Sequence, residues 1–315
     1  MRKILLVSGL VLVFACCGAL RAEDAVQAQA EPAPKAAIVT DLVIEPLVFF
    51  NRVPQDPGEA LVFYRKIAGQ GNLHAQMNLG FLLAEGKAVP QDFAEAFSWF
   101  LRAADQGNAT AQLNLALMYE EGLGTWRDPV RAARWYRKAA EKGNARAQYE
   151  IGRRYEKQVP TLADADEEAV EWYRKSADQG YARAQNALGV FYFTGRGRLR
   201  QDTRMAIEWC GMSADAGEPD AAYELGLIYK SLVDGNKAMS GRDLIDARRW
   251  LEIALILWLR ENEGEGARKN EALLRIIETK TAMDALSKHM TQGEIDTAQE
   301  QAREWVDDHF PQRAE

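Results

Sequence analysis

The stretch ATAQLNLALMYEEGLGTWRDPVRAARWYRKAAEKGN, residues 109–144, sets a pattern that most of the chain repeats. Glycines end successive copies at spacings of 36, 36, 37 and 37 residues, at Gly71, Gly107, Gly143, Gly180 and Gly217. Aromatic residues keep these intervals and then step by 41, at Phe63, Trp99, Trp135, Trp172, Trp209 and Trp250. Self-similarity at a fixed period of this length is typical of stacked supersecondary units. The sequence therefore predicts a repeat protein.

The first half of each copy has the periodicity of an amphipathic helix, here called helix A. In residues 109–144 its apolar and small residues fall at i, i+4, i+5 and i+8, on one helical face. They are Ala111, Leu115, Ala116 and Tyr119. Gly122, like Gly86 and Gly195, stands where a left-handed C-cap would end the helix.

The second half of each copy predicts another helix, here called helix B. Asp128 is a natural N-cap and Pro129 suits the first helical position; Asp56, Asp92, Asp202 and Asp243 hold the place of Asp128 in other copies. The apolar stripe that follows is Ala132, Trp135, Tyr136, Ala139 and Ala140. A hairpin of two such helices cannot bury both apolar faces alone, so the copies are expected to stack into an all-α solenoid.

The repeated pattern A-x-x-x-L-G-x-x-Y-x-x-G…D-x-x-x-A-x-x-W-Y-x-x-A-A-x-x-G-N resembles the Sel1-like repeat, a longer relative of the tetratricopeptide repeat. The resemblance implies an α/α superhelical solenoid of tandem hairpins over 73–255, preceded by an N-terminal cap and half repeat at 42–72. The third copy departs from the pattern with Pro160 and an acidic run at 164–168 in a rebuilt loop. The fifth copy has an enlarged loop from Ser231 to Arg242.

The N-terminal residues 1–22 have the layout of a secretory signal, with Arg2 and Lys3 before a short apolar run. Two processing routes stay open: cleavage to a soluble exported protein, or a lipoprotein signal of residues 1–15 that leaves Cys16 lipidated. Residues 23–41 are rich in Ala, Gln, Glu and Pro and predict a flexible linker. The expected location is a bacterial periplasm or, with lipidation, the outer membrane. The segment 42–55 can be a helix or an extended lid.

The C-terminal residues 256–315 are predicted to form helices that cap the stack. Two helices are expected at about 265–288 and 291–309, the second opened by a Thr291/Glu294 capping box. Within it, Ala298, Ala302 and Trp305 imitate the stripe of a helix B. Terminal units of a solenoid must cover its open end, so these helices are assigned that task.

Charge and motifs point away from several classes of function. The formal charge is −7, and removal of the signal leaves 36 basic and 46 acidic residues, which disfavours binding to nucleic acid or to anionic lipid. The three histidines are scattered and Cys210 is a lone core thiol, so no metal or cofactor site is predicted. The carboxylates Glu120 and Glu121 and the run 164–168 are interpreted as solvated helix caps.

Candidate partner-binding residues lie on helix A, at two positions that face away from the hairpin stripe. These positions, the helix A row, hold Met77, Leu113, Tyr149, Asn186 and Tyr223, and one turn later Phe81, Leu117, Arg153, Val190 and Leu227. In the related tetratricopeptide fold the corresponding positions line a peptide-binding groove. The alternative is that they pack against the neighbouring helix A. Both alternatives stay open at this level.

Three functions compete for such a chain. The first is a non-catalytic exported scaffold or adaptor that grips a protein or peptide of the cell envelope in its concave groove. The second is a cell-wall-directed hydrolase, β-lactamase-like or peptidoglycan-active, as linked to some cysteine-rich relatives, although this chain lacks their disulfides and a recognisable nucleophile. The third is the same scaffold anchored in the membrane through Cys16.

Overall fold

The computed structural model describes residues 53–54, 56–157, 163–235, 241–262 and 269–311, all within one compact unit that spans 34–315. In these ranges it contains thirteen helices and no strand. They are α1 Pro57–Gly69, α2 Leu73–Glu85, α3 Phe93–Asp105, α4 Ala109–Glu121, α5 Pro129–Glu141, α6 Ala145–Lys157, α7 Ala163–Ala177, α8 Ala182–Thr194, α9 Thr203–Asp215, α10 Pro219–Gly235, α11 Gly241–Asn262, α12 Lys269–Ser287 and α13 Gln292–His309. The predicted signal, Cys16, the linker and segment 42–52 lie outside the described residues.

Successive helices pack as neighbours, and the predicted all-α solenoid of hairpins is confirmed. The hairpins are α2–α3, α4–α5, α6–α7, α8–α9 and α10–α11, referred to below as repeats 1 to 5. Helix α1 is the helix B of a leading half copy. The helix B of each hairpin packs against the helix A of the next hairpin, and this contact joins successive repeats.

The predicted helix ends are confirmed at most positions. The side chains of Asp56, Asp92, Asp128 and Asp202 each accept a hydrogen bond from the backbone N–H three residues later. Gly86, Gly122 and Gly195 are left-handed C-caps, with φ of 67°, 73° and 71°. Asp243 is the exception: α11 begins at Gly241, so this residue lies within the first turn, where the helix dipole favours a negative charge.

Small residues on helix A let the two helices of a hairpin touch. A methyl group added at Gly80, Gly152, Gly189 or Gly226 would stand 2.7, 2.7, 2.4 or 2.6 Å from Phe100, Tyr173, Cys210 or Leu251 of the facing helix B. These contacts are closer than any Cβ tolerates without a shift of its neighbour. The missing side chain is therefore what allows a large buried group on helix B, and Phe100 and Tyr173 are at most 1% exposed.

Two loops are shorter than the sequence analysis predicts. The acidic run at 164–168 belongs to α7, which begins at Ala163, and Asp166 and Glu167 form ion pairs with Arg196 and Arg198 of the next repeat. The predicted loop from Ser231 to Arg242 is mostly helix as well, since α10 continues to Gly235 and α11 begins at Gly241.

The two C-terminal helices are confirmed, and the capping box of Thr291 and Glu294 opens α13. Both helices pack on α11, and neither pairs closely with the other. The apolar end of α11 is covered accordingly, with Leu257 and Trp258 buried. Phe310, just after α13, lies against Gly217. No helix in the described ranges has the length and apolar character that a membrane span needs.

Candidate functional site

The first half of the helix A row is buried in the hydrophobic core. Met77, Phe81, Leu113 and Leu117 are at most 8% exposed and belong to one cluster formed by α1 to α6. The Phe81 ring, for example, meets the Phe100 ring edge-on at 5.2 Å between centroids. A partner cannot reach side chains that the chain itself covers. Their burial therefore supports packing within the solenoid, the second of the two alternatives.

The second half of the row is only half-buried. The Arg153 guanidinium donates to the Glu150 carboxylate at 2.9 Å, and the Cys210 thiol points its Sγ at the Asn186 Oδ1 at 3.5 Å. Tyr223 packs at the edge of the C-terminal core clusters. Tyr149 contacts two other tyrosine rings and is the point from which a polar aromatic cluster extends.

That cluster lies at the start of α8, where the N-cap residue does not cap the helix with its side chain. Asn72, Asn108 and Asn144 cap the helices A of the first three repeats, each through its side-chain oxygen. Repeat 4 has Tyr181 in this place, and its side chain makes no cap hydrogen bond. Loss of such a cap costs about 0.5–2 kcal/mol. The Tyr181 ring instead lies 5.4 Å from the Tyr149 ring.

Repeat 5 replaces the same asparagine with Glu218. Its carboxylate accepts from the Arg183 Nε at 3.1 Å, between the start of α8 and the start of α10. Tyr149, Arg153, Tyr181, Arg183 and Glu218 together are called the tyrosine–arginine cluster below. Sequence analysis missed Tyr181, Arg183 and Glu218, although the change from Gly-Asn to Gly-Tyr and Gly-Glu at the repeat boundaries was a signal that could have found them.

The electrostatics of the cluster fix its protonation states. Burial is the largest single effect on Arg183 and lowers the pKa of its guanidinium, but the Glu218 carboxylate and the Tyr181 and Tyr149 phenols together raise that pKa by more. Burial likewise lowers the pKa of Arg153, and Glu150, with help from Tyr149 and Glu120, raises it by more. Burial, helped by the Glu150 charge, raises the pKa of Tyr149 to about 12. At neutral pH the cluster therefore presents charged guanidinium groups and neutral phenols, all of them hydrogen-bond donors.

Two carboxylates next to the cluster, Glu120 and Glu156, form a ladder of hydrogen bonds between repeats. Glu120 accepts from the Tyr136 hydroxyl at 2.6 Å and from the Arg154 Nη2 at 2.8 Å. Glu156 repeats the arrangement one copy later, with Tyr173 at 2.7 Å and Arg196 at 2.9 Å. The interpretation of Glu120 as a solvated cap is corrected here, because its side chain is bound by the next repeat. The ladder links repeats 2, 3 and 4 and holds their helices A in register.

The described residues contain no group of three His, Cys, Asp or Glu side chains that could hold a metal ion. The buried Cys210 has a strongly raised pKa, first because of burial and then because of the Glu224 charge. The thiol is therefore neutral and shielded, which makes it a core residue rather than a reactive one.

Trp126 is the most exposed large apolar residue of the described chain, at 91%. It lies in the loop before α5, outside the register of the tryptophans in the helix B stripe, and Val130 on the first turn of α5 is 62% exposed. The equivalent loop positions hold Pro90 and Arg200, both exposed as well. The sequence analysis did not single out Trp126, although its off-register position distinguishes it from the stripe tryptophans.

Comparison with known proteins agrees with the geometry. The sequence model of the Sel1 repeat matches residues 50–72, 73–108, 109–144, 145–181, 182–218 and 219–255. The protective antigen c5321 of uropathogenic Escherichia coli, a protein with an SLR fold, is 28% identical with a TM-score of 0.65. The match covers 82% of this chain and 50% of that one, so this chain spans half the length of the antigen.

A Sel1 repeat protein from Oxalobacter formigenes is 26% identical with a TM-score of 0.54, over 79% of this chain and 94% of that one. No curated protein matches the chain.

Proposed function

Because the chain belongs to the Sel1 repeat family, whose members are generally protein-interaction scaffolds, we propose that it is a non-catalytic adaptor for a protein or peptide partner. The contact surface in this proposal is the tyrosine–arginine cluster on α6 and α8, together with Asn186 and Tyr223 of the helix A row. This moves the expected groove away from repeats 1 and 2, where the row is buried.

The observation that carries the proposal is the replacement of a capping asparagine by Tyr181. Three preceding repeats keep the asparagine and its hydrogen bond, whereas this repeat has an aromatic ring that does not cap. Positions where a chain departs from its own local rule are often functional ones. Tyrosine and arginine are also the residue types that are enriched at binding hot spots.

The chemistry of the cluster suits an extended segment of a partner protein. Tyr149 and Tyr181 offer flat apolar rings with hydroxyl donors at their edges. Arg183 has N–H groups left over after the bond to Glu218, and these can donate to backbone carbonyls or to a carboxylate of the partner. No specific observation favours the hydrolase alternative.

The place of action in this proposal is the bacterial cell envelope, reached through the signal of residues 1–22. Palmitate labelling distinguishes a form that is anchored through a lipid on Cys16 from a soluble form. Palmitate incorporation that disappears in Cys16→Ser would support the anchored form, whereas an unlabelled protein in the periplasmic fraction would support the soluble one. Retention of the whole protein in the cytosol would refute export.

The adaptor proposal is tested with Tyr181→Asn, which restores the cap while removing the ring. The gain of a cap offsets the lost ring contact, so we expect the free energy of unfolding to change by less than about 1 kcal/mol. Capture of a stoichiometric partner from cell envelopes should fall at least about tenfold, corresponding to about 1.4 kcal/mol of binding free energy.

The matched control is Arg134→Ala on the outer face of α5, where the side chain is exposed. This variant should capture the partner as the parent protein does. Undiminished capture by Tyr181→Asn and by Arg183→Ala, both folded, would end the proposal.

A further inference from the structure

A pocket with a volume of about 300 Å³ lies where repeats 1 and 2 meet, between the end of α3, the start of α4 and the end of α5. This volume is at the lower end of the range for ligand pockets, about 300–1,000 Å³, so the pocket suits a single side chain. Its polar and aromatic lining includes Asp105, Gln112, Trp135, Lys138, Glu141 and Lys142. None of these residues belongs to the tyrosine–arginine cluster.

Gln112 gives the pocket a buried acceptor that no group of the described chain uses. The side chain is 5% exposed, and its amide nitrogen donates to the Ala104 carbonyl at 3.1 Å. That bond leaves the Gln112 Oε1 to accept, yet this buried oxygen has no hydrogen-bond partner. Buried polar atoms are nearly always paired, so the oxygen is suited to a donor from outside the chain.

The neighbouring repeats show which donor fits this oxygen. Gln76 and Gln148 hold the equivalent place, and each donates to a backbone carbonyl in the same way, at 3.1 and 3.2 Å. Their Oε1 atoms accept from the carboxamides of Gln106 and Gln179, both at 2.7 Å. Repeat 2 has Lys142 in the position of these two donors, so here the chain does not supply the carboxamide itself.

We propose that the pocket binds the carboxamide side chain of a glutamine or asparagine in a peptide or protein partner. The amide N–H group of the partner donates to the Gln112 Oε1, and its amide oxygen accepts from the Lys142 ammonium group. Lys142 is exposed and has a flexible stem, so it can turn to admit the side chain. The Trp135 ring provides an apolar wall for the methylene groups of the partner.

The charges around the pocket favour a neutral polar group. Lys138 and Lys142 stand against Asp105 and Glu141, so the formal charges of the lining cancel. A carboxylate brings no donor for the Gln112 Oε1, and a guanidinium group brings no acceptor for the Lys142 ammonium group. The carboxamide satisfies both at once, and this difference makes the pocket selective.

This site goes beyond the proposed adaptor function and does not depend on it. The pocket involves α3, α4 and α5, whereas the adaptor proposal uses α6, α8 and the start of α10. A partner that also carries a suitable glutamine would gain a second point of attachment.

NMR titration of the full ¹⁵N-labelled chain with N-acetylglutamine methylamide tests the proposal, followed through the Trp135 indole N–H signal. We expect a saturable shift with a dissociation constant on the order of 1–10 mM, as a ligand of this size allows. N-acetylglutamate methylamide, which has the same shape and a carboxylate in place of the amide, should bind at least about tenfold more weakly. The Trp135→Phe variant assigns the signal.

Lys142→Gln restores the carboxamide that the neighbouring repeats have, so the glutamine probe should bind at least about tenfold more weakly to this variant. Lys175→Gln is the matched control, because it removes the same charge from an exposed lysine outside the pocket, over the Trp172 ring. It should bind as the parent does. Thermal unfolding checks that both variants are folded.

Three outcomes would overturn the proposal: no saturable shift up to roughly 100 mM probe, equal binding of the two probes to the parent, or undiminished binding to folded Lys142→Gln. The comparison of the two probes uses the parent chain alone and does not rely on a variant. Each of these results would leave the adaptor proposal standing, since its readout is capture of a partner by the tyrosine–arginine cluster.

Discussion

Lys142 occupies a place that glutamine fills in the neighbouring repeats. The Gln106 amide donates to the buried Gln76 Oε1 at 2.7 Å, and the Gln179 amide donates to the Gln148 Oε1 at the same distance. In repeat 2 the corresponding acceptor, the Gln112 Oε1, is buried and has no hydrogen-bond partner. The replacement of glutamine by Lys142 in this repeat therefore leaves the Gln112 Oε1 without a hydrogen-bond donor.

Changing Lys142→Gln should complete this bond. We expect the free energy of unfolding to rise by about 1 kcal/mol, because a buried unpaired acceptor is costly and its bond is worth about that much. Urea denaturation measures the change. Lys138→Gln on the same helix removes the same charge without an acceptor in reach, and an equal gain in both variants would contradict the explanation.

Glu224 on α10 is a half-buried carboxyl whose pKa is raised from its ordinary 4.5, first by burial and then by the Asp220 charge, against the opposing Arg275. A carboxyl that binds its proton more tightly in the folded state costs nothing at low pH. Its unfavourable contribution appears as the pH rises above about 4.5.

Glu224→Gln should therefore stabilise the protein at pH 7, by on the order of 1 kcal/mol, and this advantage should vanish as the pH falls towards 4. Thermal unfolding followed at several pH values gives the comparison. Glu300→Gln, on the exposed surface of α13, is the matched control and should show no such trend. A gain that persists undiminished at pH 4 would refute the role of charge.

At the scale of the helices, the seam is set by a glycine that faces a side chain of helix B in four of the five hairpins, and by Ala116 in repeat 2. Gly152 and Tyr173 show the arrangement most clearly, because the Tyr173 hydroxyl is also held by Glu156 and its ring cannot swing aside freely. The seam therefore has little room for an additional side-chain atom.

Gly152→Ala should lower the free energy of unfolding by about 1–3 kcal/mol, because the new methyl group would meet the Tyr173 ring. Gly211→Ala is the control within another helix: its added methyl group meets nothing within 4 Å, and a gain of about 0.5–1 kcal/mol is expected from helix propensity alone. Chemical denaturation of the pair separates the two effects. Stabilisation by both substitutions would show that the seam has room to spare.

Sequence predicted these elements well where the determinants are local. The Asp N-caps and glycine C-caps depend on residues a few positions apart, and the structure places them as expected. The burial of each side chain in the helix A row could not be predicted. Periodicity shows which helix face a residue occupies, but not which neighbouring helix covers that face. Leu113 and Tyr149 share one repeat position, yet the first is fully buried and the second is half-buried.

At the scale of the whole molecule, the fold followed from the period, whereas the links between repeats did not. The bonds of Glu120 and Glu156 to arginines 34 and 40 residues away join groups that no spacing rule connects. The course of α13 could not be predicted for the same reason: its stripe imitates a helix B, yet the helix packs on α11 and does not pair closely with α12. The candidate site therefore emerged from the structure, at the repeat boundaries.

The seam between the two helices of a hairpin also governs how such a chain can grow. A duplicate of residues 109–144 placed after Asn144 would bring its own capping asparagine and its own small residue at the seam, so the array lengthens from within. A copy inserted behind α12 would instead separate α12 from α13, and both of these helices pack on α11. Gene duplication and protein engineering alike therefore have an interior site of insertion in this molecule.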